Sequence, residues 1–268
     1  MSRALRTEHS TGSDYATVLP AQLVYLGVAA VPLAVAGARH LFRDRSLRFL
    51  AVAAALVLAF VVVDIPGRPY YTDGMLGLVF AAGAVAVQDR AAADEAVRRW
   101  LIAPIAGAVI TAVLVLPILP EAALTHIAGI HKLNYDLTET IGWPQLTRQV
   151  AAAYQALPPA ERRQASVFTS NYGEASALVV YGGRYGLPPV LSGHNTFWLW
   201  GPGGARDGTV IAVGSAGDLR PFFGACTTVA AFRPPHNVVN DENGVEIATC
   251  RQPVAPWHGV WARLKHYG

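Results

Sequence analysis

NYGEASALVVYGGRYGLPPVLSGHNTFWLWG, residues Asn171 to Gly201, gathers a glycine turn, an acidic residue, a Pro-Pro pair, a His-Asn pair and two tryptophans. Glycine and proline fix backbone geometry there, while Glu174, His194 and Asn195 place polar side chains beside it. Immediately upstream, Ala165 to Thr169 (ASVFT) is predicted as a strand, followed by a turn at Ser170 to Gly173 and a helix from about Glu174 to Tyr181. Pro188 to Ser192 is a second short strand ending in Gly193-His194-Asn195, and Thr209 to Gly214 (TVIAVG) is a third. Strand, glycine turn and helix in this order are the unit of an α/β sheet, whose ligands gather at the carboxyl ends of the strands. Glu174 then serves either the site or the helix dipole of its own first turn, and His194 is either a general base or a structural histidine.

Outward from this stretch the second half continues the pattern. Thr138 to Leu157 is predicted as one helix, with Gly142-Trp143-Pro144 near its start and Pro158-Pro159 closing it. Thr227 to Phe232 and Glu246 to Arg251 are later strands, and the ending PWHGVWARLKHYG is predicted as an amphipathic helix with Trp257, Trp261 and Leu264 on one face. Cys226 and Cys250 could close a disulfide loop in an oxidising compartment, or stay two buried thiols. There is no GxSxG elbow, the GPGG at Gly201 to Gly204 lacks the Lys-Ser/Thr of a phosphate loop, and His126 and His131 are spaced wrongly for a metal pair on one helix face. Trp198 and Trp200, close to His194 and Asn195, suit stacking on a sugar ring.

The first half has a different composition. Over the whole chain hydrophobic residues make up 53% and charged ones 15%, and the charges avoid four apolar runs: Ala16 to Ala38, Phe49 to Val63, Gly74 to Val87 and Trp100 to Leu119. The expected fold class is therefore mixed, an α-helical transmembrane bundle of about four spans followed by a small α/β extracytoplasmic domain. Its divisions are a polar N-terminal segment at 1–15, transmembrane helices at 16–120 and the α/β domain at 121–268. Gly77, Ala81, Ala82, Gly83 and Ala84 allow close helix packing in the third run. Arg39, Arg43, Arg45 and Arg48 in one loop, and Arg90, Arg98 and Arg99 in another, mark cytoplasmic loops, which puts the chain after Pro120 outside. No short basic start leads into an apolar core at the N-terminus, so a cleaved signal peptide is not expected. The net charge of +3 sits beside apolar runs rather than along a polar face, which excludes nucleic acid as the expected partner and leaves the lipid bilayer. The loop DIPGRPYYTDG, Asp64 to Gly74, presents Arg68 with Tyr70 and Tyr71 at the membrane surface, either gripping a lipid phosphate or forming an aromatic belt with a snorkelling arginine.

GRPYY after an apolar span, LGLVFAAGAVAV, ETIGWPQL, FTSNYGEASAL, YGLPPVLSGHNTFWLWGP and CRQPVAPWHGVWARLKHYG together resemble the C-terminal half of bacterial membrane glycosyltransferases of family 39, relatives of the protein mannosyltransferases and of the lipid A aminoarabinose transferase. The resemblance runs from about Asp14 to the end. It implies a plasma-membrane, multi-pass enzyme of the GT-C architecture that takes a sugar from a polyprenyl-phosphate carrier and passes it to an extracytoplasmic acceptor. It places the catalytic acidic residue in a loop upstream of the matched region, so no catalytic residue is expected in this chain, which would be inactive alone, either a truncated member or a fragment whose N-terminal half is separately encoded. Arg68, Tyr70 and Tyr71 match the family's Lys/Arg-Pro-Tyr-Tyr motif and would contact the carrier phosphate. The following TDGMLG departs from the family pattern and puts Asp73 near the membrane surface. Glu174, His194, Asn195 and Trp198 become recognition residues; no cofactor is firmly implied, although a divalent metal suits the complete enzyme. The alternative is a membrane-anchored module that binds a glycan or lipid headgroup without catalysis.

Overall fold

The structure, a computed structural model, describes residues 23, 26–63, 69–127, 130 and 134–267. The chain separates into two compact units, one of His9–Pro120 with Lys132–Asn134, the other of Met1–Glu8, Glu121–His131 and Tyr135–Gly268.

The first unit is helical: α1 (Val31–Arg43), α2 (Arg48–Val63), α3 (Asp73–Ala93), α4 (Glu95–Trp100) and α5 (Ile102–Val115). The expected four-span bundle is corrected here. Among the described residues two helices are long and apolar enough to cross a membrane, Asp73–Ala93 and Glu95–Val113, the second running through α4 into α5. The reason is local. In the first apolar run Gly27 takes a left-handed φ of 73° and interrupts helical geometry, and the helix that follows it, α1, has 13 residues, several of them beyond the run at Arg39 to Arg43. In the second run the described helix α2 has 16 residues, about 24 Å, against a hydrocarbon core of about 30 Å.

Close approach holds α1 to α3. A Cβ on Gly37 would lie 1.9 Å from the Val79 carbonyl oxygen, and one on Gly83 would lie 2.3 Å from that of Leu33, so only glycine lets the two backbones meet. At the junction of α3 and α4, Asp94 leaves helical geometry and its carboxylate accepts from the Ala96 amide at 2.8 Å, an N-cap that restarts the helix. An apolar cleft of about 460 Å³ lies among Ala30, Leu33, Phe80, Ile105, Ala112 and Val115. Of the apolar stretch in Asp73–Ala93 only 11% is buried within the chain, and in Glu95–Val113 none is. Helices at the core of a water-soluble protein would be covered; these present hydrocarbon outward.

The second unit is a five-stranded mixed sheet in the order β2-β1-β3-β5-β4, where β1 is Ser166–Thr169, β2 Val190–Ser192, β3 Val210–Val213, β4 Phe223–Ala231 and β5 Glu246–Pro253. β2, β1 and β3 run parallel, and β5 and β4 antiparallel. Every residue of β1 (SVFT) and β3 (VIAV) is buried, as strands covered on both faces require. One face is covered by α6 (Trp143–Gln155) and α7 (Tyr172–Gly182), where Leu146, Val150 and Leu178 meet Val167, Ile211 and Ile247. The other is covered by Leu219, Trp257, Trp261 and Leu264 against Phe168, Val210 and Ala248. Each large side chain so buried contributes roughly 1.5–3 kcal/mol. Cys226 and Cys250 are paired in the β4–β5 register, their Cα atoms 4.0 Å apart, and are joined by a disulfide.

Two elements differ from expectation. The helix predicted over Thr138 to Leu157 is two, Tyr135–Glu139 and α6, because Gly142 has φ 105° and breaks the helical path. A Cβ there would meet the Phe232 ring at 3.0 Å. The predicted amphipathic C-terminal helix is a short turn, Trp257–Val260, followed by a 3-10 turn, Trp261–Leu264, after which the chain extends. His266 then forms a parallel bridge with His194.

Candidate functional site

The chain passes from β1 through α7 to β2 on one side of β1, and returns to β3 on the other. The carboxyl ends of β1, β2 and β3 are thus a topological switch point, where open α/β sheets leave a crevice. Three turns leave these ends: Ser170-Asn171, Gly193-His194 and Gly214-Ser215.

The first turn is built by a capping box. The Asn171 side chain accepts from the Glu174 amide at 2.8 Å, and Glu174 Oε2 accepts from the backbone of Asn171 at 3.2 Å. The same oxygen also accepts from the Ser170 amide and hydroxyl, both at 2.9 Å. Glu174 is fully buried, and its Oε1 has no partner. Burial pushes its carboxyl up to about 7, against the pull of the Ser170 and Asn171 donors. Gly214, at φ 62°, is held to glycine because a Cβ would sit 2.6 Å from Ser170 Oγ and 2.9 Å from Glu174 Oε1. The carboxyl therefore stands beneath the site as the anchor of the Ser170 turn.

The second turn receives the C-terminus. The His266 amide donates to the Gly193 carbonyl and the Asn195 amide donates to the His266 carbonyl, each at 3.0 Å. A Cβ on Gly193 would fall 1.9 Å from the Leu264 carbonyl oxygen, so glycine is what admits this segment. The His266 ring stacks on His194 at 4.9 Å between centroids. Its two nitrogens face the carbonyl oxygens of Leu264 and Ser170 at 2.9 and 2.7 Å, which ties the ring to the Ser170 turn. His194 Nδ1 accepts from the Tyr172 amide at 3.3 Å, so the neutral ring carries its proton on Nε2 and faces the Asn195 amide group, whose oxygen is the end suited to accept it. Asn195 itself holds φ 51°, an uncommon value for a non-glycine residue.

Together these turns shape an open pocket of about 420 Å³ lined by Tyr172, Asn195, Thr196, Leu199, Lys265 and Tyr267. Asn195 lines it, His194 supports its floor, and Glu174 reaches it only through Ser170 and His266. Trp198 stands behind the wall. Its indole N–H donates to the Trp261 carbonyl while the Trp261 indole donates to that of Trp198, both at 3.0 Å, and the Lys265 ammonium lies 4.4 Å from its ring centre. The aromatic rings that face the pocket are those of the two tyrosines. Arg68 and the side chain of Tyr70 lie outside the described residues; Tyr71 is exposed.

Sequence reasoning missed Tyr172, Lys265, His266 and Tyr267 as site residues. Their only local trace is Gly193, which admits the C-terminal segment. A second polar cluster joins Glu139, Asp241 and Glu242, with the Asp241 amide donating to both Glu139 oxygens at 3.1 and 3.3 Å. Burial raises the carboxyls of Glu139 and Glu242, and neighbouring acids push both further. Among the described residues no group of three His, Cys, Asp or Glu side chains is arranged to hold a metal ion. Comparison with models of protein families, with curated proteins and with solved structures finds no match for this chain.

Proposed function

We propose that this chain is the recognition portion of a membrane glycosyltransferase that uses a polyprenyl-phosphate-linked sugar, and that its α/β unit binds a sugar rather than making or breaking the glycosidic bond. The observation that carries this reading is the pocket at the strand ends. Two tyrosine rings supply faces for a pyranose, and Asn195 and Thr196 supply a fixed amide and a hydroxyl for its hydroxyls. Among the described residues no carboxylate lines that pocket, and Glu174, the acid on its supporting turn, is enclosed, so none of them offers a general base within reach of a bound sugar.

The apolar helices Asp73–Ala93 and Glu95–Val113 provide the anchor. Arg90, Arg98 and Arg99 gather at their junction, which supports a cytoplasmic position for it and a position outside the plasma membrane for the unit that follows. The Cys226–Cys250 disulfide agrees with an oxidising compartment. A second reading, a membrane-anchored glycan-binding module with no transfer partner, is favoured by the same lack of an acid-base pair.

Equilibrium binding to the full chain in lipid nanodiscs, followed by intrinsic fluorescence, tests the reading with glucose and glucuronate as probes. Saturable binding that falls at least tenfold in Tyr267→Ala is expected, about 1.4 kcal/mol of lost contact. Binding of neither sugar would overturn it, and sugar transfer from a polyprenyl carrier by the purified chain alone would overturn the assignment of recognition without chemistry.

A further inference from the structure

We propose that the pocket is specific for an anionic sugar, with Lys265 as the residue that reads the charge. This rests on the sugar-binding reading above and goes further by naming the ligand class. Among the described residues the lining side chains are those of Tyr172, Asn195, Thr196, Leu199, Lys265 and Tyr267, one cation and no anion. Lys265 makes no ion pair with any described residue. Its contacts are with aromatic faces, the ammonium lying 4.4 Å from the Trp198 ring centre and 5.3 Å from that of Tyr267.

Those two contacts fix where the charge is held without neutralising it. A cation over an aromatic face keeps its hydrogen-bond donors available to a third group, whereas a lysine closed into an ion pair with a carboxylate would not. Trp198 is itself immobilised by the reciprocal indole-to-carbonyl bonds with Trp261, so the platform under the ammonium is rigid. Tyr267 contributes one ring to both functions: it lines the pocket where a pyranose would stack and it lies beside the ammonium. A sugar ring against the tyrosines therefore brings its exocyclic substituent to Lys265. A carboxylate or phosphate there gains a charge-assisted hydrogen bond, roughly twice as strong as a neutral one. The His266 ring, facing two carbonyl oxygens behind the wall, adds no negative charge that would oppose this.

The test compares glucose, glucuronate, glucose 1-phosphate and inorganic phosphate as probes of the full chain in nanodiscs. Glucuronate and glucose 1-phosphate are expected to bind at least tenfold more tightly than glucose, and inorganic phosphate more weakly than either. The preference should shrink as salt is raised, as exposed charge contacts do. Lys265→Gln should bring glucuronate to the affinity of glucose, and Lys265→Arg should keep the preference. Thermal unfolding of Lys265→Arg should match that of the parent chain, and Lys265→Gln should cost no more than an exposed cation–π contact contributes, because Lys265 is exposed and makes no ion pair with a described residue. Equal binding of glucose and glucuronate would overturn this inference while leaving the sugar-binding reading in place. Inorganic phosphate binding as tightly as glucose 1-phosphate would overturn it too, since the pocket would then read an anion without a ring. Failure of all three sugars to bind would overturn the sugar-binding reading itself.

Discussion

The two halves of the chain each contain a cavity of similar size, about 460 Å³ among the helices and about 420 Å³ at the strand ends, lined by different kinds of side chain. The first is walled by Leu33, Phe80, Ile105, Ala112 and Val115, groups that offer dispersion contacts, with the Thr111 hydroxyl the one polar side chain among the described lining residues. The second has tyrosine faces, an amide, a hydroxyl and an ammonium. The difference follows from the solvent each half is built against. In the helical unit apolar side chains face outward and backbone polar groups are satisfied within each helix, so the surface carries little information. In the sheet unit apolar side chains are spent on the core, and the polar ones are left to collect where the parallel strands end.

The comparison is sharpened most by one pair of truncations. Phe168 is buried between the sheet and Trp257, ring centres 5.7 Å apart, so Phe168→Ala should cost about 3–5 kcal/mol of the sheet unit's stability. Ile105 is 66% exposed, and Ile105→Ala should cost less than about 1 kcal/mol for the protein in lipid, where no water is gained or lost by the change. Denaturation followed by near-ultraviolet circular dichroism checks both; equal costs would break the contrast.

Reduction comes next. The disulfide closes a segment with a sequence separation of 24, and its loss should destabilise the sheet unit by about 3 kcal/mol. Cys226→Ser with Cys250→Ser should lower its thermal midpoint and leave that of the helical unit unchanged.

The third contrast is in pH. Glu174 has its carboxyl raised by burial to about 7 when folded, against the ordinary 4.5 when unfolded. The folded state therefore holds the proton more tightly, and this contribution is full below about pH 4.5 and lost as pH rises through about 7, at no more than about 1.4 kcal/mol per pH unit. Glu139 and Glu242, also raised, act in the same direction. The midpoint should fall between about pH 5 and pH 8, and Glu174→Gln, which keeps the capping-box side chain neutral, should flatten the slope. A midpoint that rises over this range would contradict the assignment.

Much of the sheet was legible because its signals are local. SVFT and VIAV are continuous apolar runs bounded by turn residues, and Asn171 with Glu174 spells a capping box three residues apart. The break at Gly142 was not legible, since its left-handed backbone lies against Phe232, which arrives from the far end of the fold. The C-terminal run suggested a helix because Trp257, Trp261 and Leu264 keep a helical period; the extension after Leu264 depends on Gly193, whose backbone has space for it. The same contact is what assembles the pocket, so Lys265 and Tyr267 had no sequence neighbour to mark them. In the helical half the error was one of counting. Length and hydropathy alone gave four spans, and neither registers the break at Gly27.

Hydrogen exchange of the full chain in nanodiscs, with and without saturating glucuronate, tests the central claim most directly. The account expects added protection confined to Tyr172, Asn195 to Trp200 and Lys265 to Tyr267, with no change in Asp73–Ala93 or Glu95–Val113. Protection located in those apolar helices, or none at the strand ends, would contradict it.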